Sequence, residues 1–152
     1  MKKNLQRIGR LVLSICLLFT AGSLSAEINP QPFVIPELQT WVGAEGSVQL
    51  SGVLRVSGND KELTRVANAY AADYKTMFGK TLTVKNGAPK AGDVLFVLKK
   101  NDKELGKEGY RLNIGNHITV TAATAQGAFW ATRTILQMTE TGGDQLPQGT
   151  IR

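Results

Sequence analysis

The stretch Tyr110-Arg111-Leu112-Asn113-Ile114-Gly115-Asn116-His117-Ile118-Thr119-Val120-Thr121 decides the fold. Two alternating segments, 110–114 and 118–121, flank a short polar loop, the pattern of two strands that each bury one face. Gly115-Asn116 invites a two-residue turn. That turn would set Leu112 opposite Thr119, with the two apolar faces on opposite sides of the sheet. A three-residue loop, Gly115-Asn116-His117, instead pairs Ile114 with Ile118 and Leu112 with Val120. Both apolar faces then point the same way. The register therefore predicts the longer loop, with Asn116 or His117 in a left-handed conformation.

Downstream, Thr124 is placed to cap a helix over 125–139. Its broad apolar face holds Ala128, Phe129, Ala131, Thr132, Ile135, Leu136 and Met138. Trp130 falls on the opposite side, beside Gln126, Thr134 and Gln137, and calls either for a partner or for cover by a loop of the same domain. Gly142-Gly143-Asp144 reads as a helix stop, and 146–152 as a final strand. Some sugar-cleaving enzymes carry a Gly-Gly-Asp before a catalytic Glu. Here Gln145 follows Asp144, and a Gln cannot donate a proton as a general acid.

Upstream, the charged run 99–107 is mixed in sign and reads as a solvated turn. Val94-Leu95-Phe96-Val97-Leu98 is a continuous apolar run, suited to a central strand covered on both faces. Asn59-Asp60 opens a helix over 60–78, stopped by Gly79. Val66, Met77, Tyr70, Leu63, Tyr74, Ala67, Phe78 and Ala71 form one arc at helical spacing, a core face. Ala69 and Ala72 lie on the opposite arc with Arg65 and Thr76, where small side chains would admit another surface closely. Short strands are expected at 38–42, 48–50, 53–56 and 82–84, with a turn at Gly43–Gly46. The proline-flanked segment 30–36 reads as an extended lead-in or edge strand. The economical architecture is α+β: a two-layer sandwich, a mostly antiparallel sheet with two helices packed on one face.

Residues 1–26 stand apart. Lys2, Lys3, Arg7 and Arg10 precede an apolar run, 11–20, and then the small-residue exit Ala21-Gly22-Ser23-Leu24-Ser25-Ala26. This order reads as a cleaved secretory signal peptide, too short to anchor in a bilayer. The expected domains are thus 1–26, removed, and 27–152, exported to the periplasm or beyond the cell. The whole chain carries 18 basic and 12 acidic residues. Without the four basic residues of the leader, 14 remain against 12, a net charge of +2. That near balance gives no electrostatic footprint for nucleic acid.

Catalytic equipment is sparse. The single cysteine, Cys16, lies in the leader, so the mature part has neither a thiol nucleophile nor a disulfide. His117 is the only histidine and sits in a hairpin loop without an evident orienting partner. No phosphate loop, zinc motif or Ser–His–Asp set is present, and neither a cofactor nor a metal is expected.

Three segments carry a resemblance when taken together: Glu108-Gly109-Tyr110-Arg111-Leu112, then Ile118-Thr119-Val120-Thr121-Ala122-Ala123-Thr124, then Gly127-Ala128-Phe129-Trp130-Ala131-Thr132-Arg133-Thr134-Ile135-Leu136-Gln137. In this order, with Leu146-Pro147 and Ile151 following and Ile35-Pro36, Trp41 and Gly43–Gly46 ahead, they resemble the N-terminal domain of bacterial β-N-acetylhexosaminidases of glycoside hydrolase family 20. The likeness spans most of 33–152.

The resemblance implies a non-catalytic accessory domain whose helices lie between its sheet and a (β/α)₈ barrel. The barrel would carry an Asp-Glu pair acting with the substrate's acetamide, the substrate-assisted exception among glycosidases. None of the family's catalytic or sugar-gripping residues maps onto this sequence. The expected partner is that barrel in cis, and glycan is met only through it. Trp130, Ala69 and Ala72 become the candidate interdomain interface. Two alternatives remain: a stand-alone module binding carbohydrate or protein through Trp130 or Trp41, and a family 84 parent with a similar leading domain.

Overall fold

The computed structural model describes residues 27–152; the expected leader lies outside the described residues. In chain order the elements are β1 (Trp41–Gln49), β2 (Val53–Val56), α1 (Lys61–Phe78), β3 (Thr83–Asn86), β4 (Val94–Leu98), β5 (Tyr110–Ile114), β6 (Ile118–Ala122), α2 (Ala125–Gly142) and β7 (Gln145–Ile151). The seven strands form one sheet in the order β1-β7-β5-β6-β4-β2-β3. Antiparallel pairing joins β1, β7, β5 and β6. The β6-β4-β2-β3 portion is parallel. The fold is α+β, with both helices on one side of the sheet.

Register explains the core. Val56, Phe96, Val120, Leu112 and Ile151 are Cα partners in succession from β2 to β7. All five are essentially inaccessible to solvent. Leu54, Val94, Ile118 and Ile114 form a second buried row beside them. The helices cover these rows with Leu63, Ala67, Tyr70 and Tyr74 from α1 and with Ala128, Ala131, Ile135 and Met138 from α2. Tyr70 packs edge-on against Tyr74 and Phe96, with centroids 5.8 and 6.4 Å apart. Each such aromatic pair adds about 1 kcal/mol beyond its burial.

The caps follow the sequence. Asp60 accepts from the backbone N–H groups of Glu62 and Leu63, and Gly79 closes α1 at φ 70°. Thr124 accepts from Gly127 N–H at the start of α2. The three-residue hairpin loop pairs Ile114 with Ile118 and Leu112 with Val120, as the register requires.

Four expectations change. The hairpin loop contains no left-handed residue, because every positive-φ residue described is a glycine. The turn is drawn in instead by Gly115 N–H donating to His117 C=O at 3.1 Å. Residues 41–49 are one strand, not two around a turn, because a bulge between Gly43 and Ser47 absorbs the glycines while both ends stay paired with β7. Strand β4 is central but not covered on both faces. Leu95 and Val97 are only half-buried, flanked by Thr119 and Thr121 of β6. Met77, on the expected core arc of α1, is 47% exposed, whereas its neighbour Phe78 packs on Tyr74 with centroids 4.7 Å apart.

Candidate interdomain surface

The outward side of the helix layer contains the three residues singled out by sequence. Ala69 and Ala72 are exposed on α1, and Trp130 is 43% exposed on α2. The helices are stitched across this side by Asp73 and Arg133, 2.7 Å apart. The Arg133 guanidinium also lies over the Phe129 ring, 4.6 Å from its centroid. Phe129 meets Trp130 edge-on at 5.2 Å. A fixed cation thus holds one ring, and that ring steadies the exposed indole.

The surroundings of Trp130 are less polar and more enclosed than its helix neighbours suggest. Segment 35–39 crosses beside α2 and forms one wall of an open groove of about 570 Å³. Ile35, Leu38, Tyr110, Trp130, Arg133 and Ile151 are among its lining residues. Thr134 is buried rather than surface, since Tyr110 Oη lies 2.5 Å from its hydroxyl. Gln137 is occupied by the backbone of Ile35 through both ends of its amide. Sequence reasoning missed this strap. The signal available was the run of Pro30, Pro32 and Pro36, which keeps the segment out of the helices, and Gln137, which shares a helix side with Trp130.

Trp41, the other aromatic set apart by sequence, is committed internally. Its indole Nε1 donates to Asn29 C=O at 3.0 Å, and its ring fills the space over Gly149, where a Cβ would lie 2.4 Å away. Asn29 in turn donates from its side chain to Ala44 and Gly46 carbonyls, both at 2.6 Å, fixing the bulge of β1.

Asp144 and Asp93 are engaged by structural partners. Asp144 accepts from Tyr74 Oη and Lys80 Nζ. Lys80 first, then Tyr74, holds its carboxyl below the usual range despite partial burial. Its backbone carbonyl accepts from Leu50 N–H at 2.8 Å. Gly142-Gly143-Asp144 is therefore a helix stop that ties α2 to α1 and to the end of β1. Asp93 is almost fully buried. Burial would raise its pKa, but Lys90 N–H, the Ser51 hydroxyl and the Arg55 guanidinium, at 3.0, 2.7 and 2.8 Å, hold it below the ordinary value. Glu37 and Glu108 border the groove and are exposed. Among the described residues no cluster of three His, Cys, Asp or Glu could hold a metal ion, and no helix is long and apolar enough to cross a membrane.

The fold is a mixed sheet with two helices on one side and an exposed aromatic, Trp130, on that helix layer. The description "Glycosyl hydrolase family 20, domain 2" matches residues 31–152, and the chain belongs to that family. It is 30% identical over 155 aligned residues to lacto-N-biosidase of Bifidobacterium bifidum, covering 94% of this chain and 14% of that protein. Among solved structures, Streptomyces plicatus N-acetyl-beta-hexosaminidase in complex with Thio-NAglucal matches at 25% identity and TM-score 0.66. That match covers 82% of this chain and 26% of the other. CpGH84D, whose name carries the family 84 label, shares the fold alone at 14% identity and TM-score 0.55, with 82% and 24% covered. The chain thus spans a small part of each relative's length.

Proposed function

We infer that this chain is an accessory domain of a secreted β-N-acetylhexosaminidase, an enzyme removing terminal N-acetylhexosamine from glycans. Residues 1–26 direct export and are cleaved. Residues 27–152 support a catalytic (β/α)₈ barrel in cis, and glycan is engaged by that barrel rather than by this domain. Trp130, Ala69 and Ala72 form the surface that meets it. The observation that carries the reading is an exposed Trp130, braced by Phe129 and Arg133, on the same helix layer as exposed Ala69 and Ala72. Most glycosidases use two carboxyl groups that flank the scissile bond.

The test is hydrolysis of a chromogenic N-acetylglucosaminide by the purified chain. The expected result is no turnover. Turnover abolished by Asp144→Asn would overturn the reading. A second reading, a carbohydrate-binding module, is favoured by the groove beside Trp130, which is of ligand-site size.

A further inference from the structure

We propose that Asn86-Gly87 is a site of spontaneous covalent modification, at which Asn86 converts to aspartate and isoaspartate. Asn86 is the last residue of β3, the outermost strand at one end of the sheet, and it is exposed. Gly87 is also exposed and adopts φ 105°, a conformation that side chains rarely allow. A Cβ there would meet only Arg55 Nη1, at 3.8 Å. The Gly87 backbone is thus open to solvent, with no β-carbon of its own to crowd the approach of its nitrogen to the Asn86 side-chain carbonyl carbon.

The chemistry needs only water. The Gly87 nitrogen loses its proton and bonds to Cγ of Asn86, the Cγ–Nδ2 bond breaks, and ammonia leaves. The resulting five-membered imide adds water at one carbonyl or the other, opening to aspartate or to isoaspartate. The isoaspartate branch lengthens the backbone by one methylene at the end of β3.

The consequence reaches the core. Arg55 donates from Nη1 to the Asn86 carbonyl at 3.0 Å and from Nε to buried Asp93 at 2.8 Å. Reaction at Asn86 places a new carboxylate beside the guanidinium that compensates Asp93, and the isoaspartate shifts the carbonyl that orients it. Modification therefore loosens β3 and weakens the hold on Asp93.

The test incubates the folded chain at mildly alkaline pH beside a urea-unfolded sample. Trypsin then releases Asn86-Gly87-Ala88-Pro89-Lys90 for mass analysis, and isoaspartyl methyltransferase labels the product. The expected result is conversion in the folded chain within tenfold of the unfolded rate, methyl labelling of that peptide, and loss of both in Asn86→Gln. Conversion confined to the unfolded sample, or labelling that persists in Asn86→Gln, would overturn the proposal.

Discussion

Gln137 grips the backbone of Ile35 at both polar ends: its Oε1 accepts the Ile35 N–H at 2.8 Å, and its Nε2 donates to the Ile35 carbonyl at 2.9 Å. This clamp fixes the strap that walls the groove beside Trp130, although 102 residues separate the pair. Gln137→Leu removes both bonds at an exposed site, where each contributes about 0.5–1 kcal/mol. Hydrogen exchange should show the Ile35 amide losing protection, while amides of β4 and β6 keep theirs. An unchanged Ile35 amide would mean that Val34 and Leu38 alone secure the strap.

Asp93 connects acid stability to the core. Its folded pKa is depressed, so below the ordinary carboxylate range the unfolded chain binds the extra proton. Its contribution is complete at neutral pH and is lost as pH falls from about 4 through the folded value. Asp93→Asn should cost about 2–4 kcal/mol at neutral pH, because Arg55 loses its charged partner in a nearly buried site. The variant should also unfold with a shallower pH dependence below about 4 than the parent chain. Urea titrations across that range measure both effects.

Tyr70 predicts the opposite sign. Its hydroxyl is fully buried and has no hydrogen-bond partner among the described residues, and burial pushes its phenol well above the ordinary range. Tyr70→Phe keeps the rings packed against Tyr74 and Phe96 and deletes an unpaired polar atom. Thermal unfolding should show the variant as stable as the parent or more so, by up to about 1 kcal/mol. A loss above that size would reveal a partner to the hydroxyl.

Gly149 is defined by its neighbour. A Cβ there would lie 2.4 and 2.6 Å from the Trp41 ring and 2.8 Å from the Val42 carbonyl. Gly149→Ala should destabilise by about 1–3 kcal/mol. Trp41→Ala in the same chain should recover part of the loss by vacating the ring's space. A double-mutant cycle in urea reads the coupling, and strict additivity would show that the Val42 carbonyl alone causes the clash.

How much of this was readable in advance depends on range. Alternation within 110–121 dictated one register because only one loop length puts Leu112, Ile114, Ile118 and Val120 on a common side. Asp60, Gly79 and Thr124 announced the helix ends through local capping chemistry. The bulge in β1 was hidden, because glycines that mark turns also serve bulges and only pairing with β7 decides between them. The strap was hidden for the same reason, since the clamp from Gln137 to Ile35 leaves no periodic trace. Helical spacing found the helix layer's outward residues, but the bracing of Trp130 by Phe129 and Arg133 emerges only when Asp73 is brought alongside.

The central claim is that Trp130 faces another part of a glycosidase and not a sugar. The sequence contains two tryptophans, so Trp41→Phe leaves Trp130 as the sole indole reporter. Titrating that variant with chitooligosaccharides while following its emission tests the claim most directly. The account predicts a flat trace. A saturable shift, absent when the same titration is run on Trp130→Ala in the parent chain, would contradict it and make the groove a sugar-binding site.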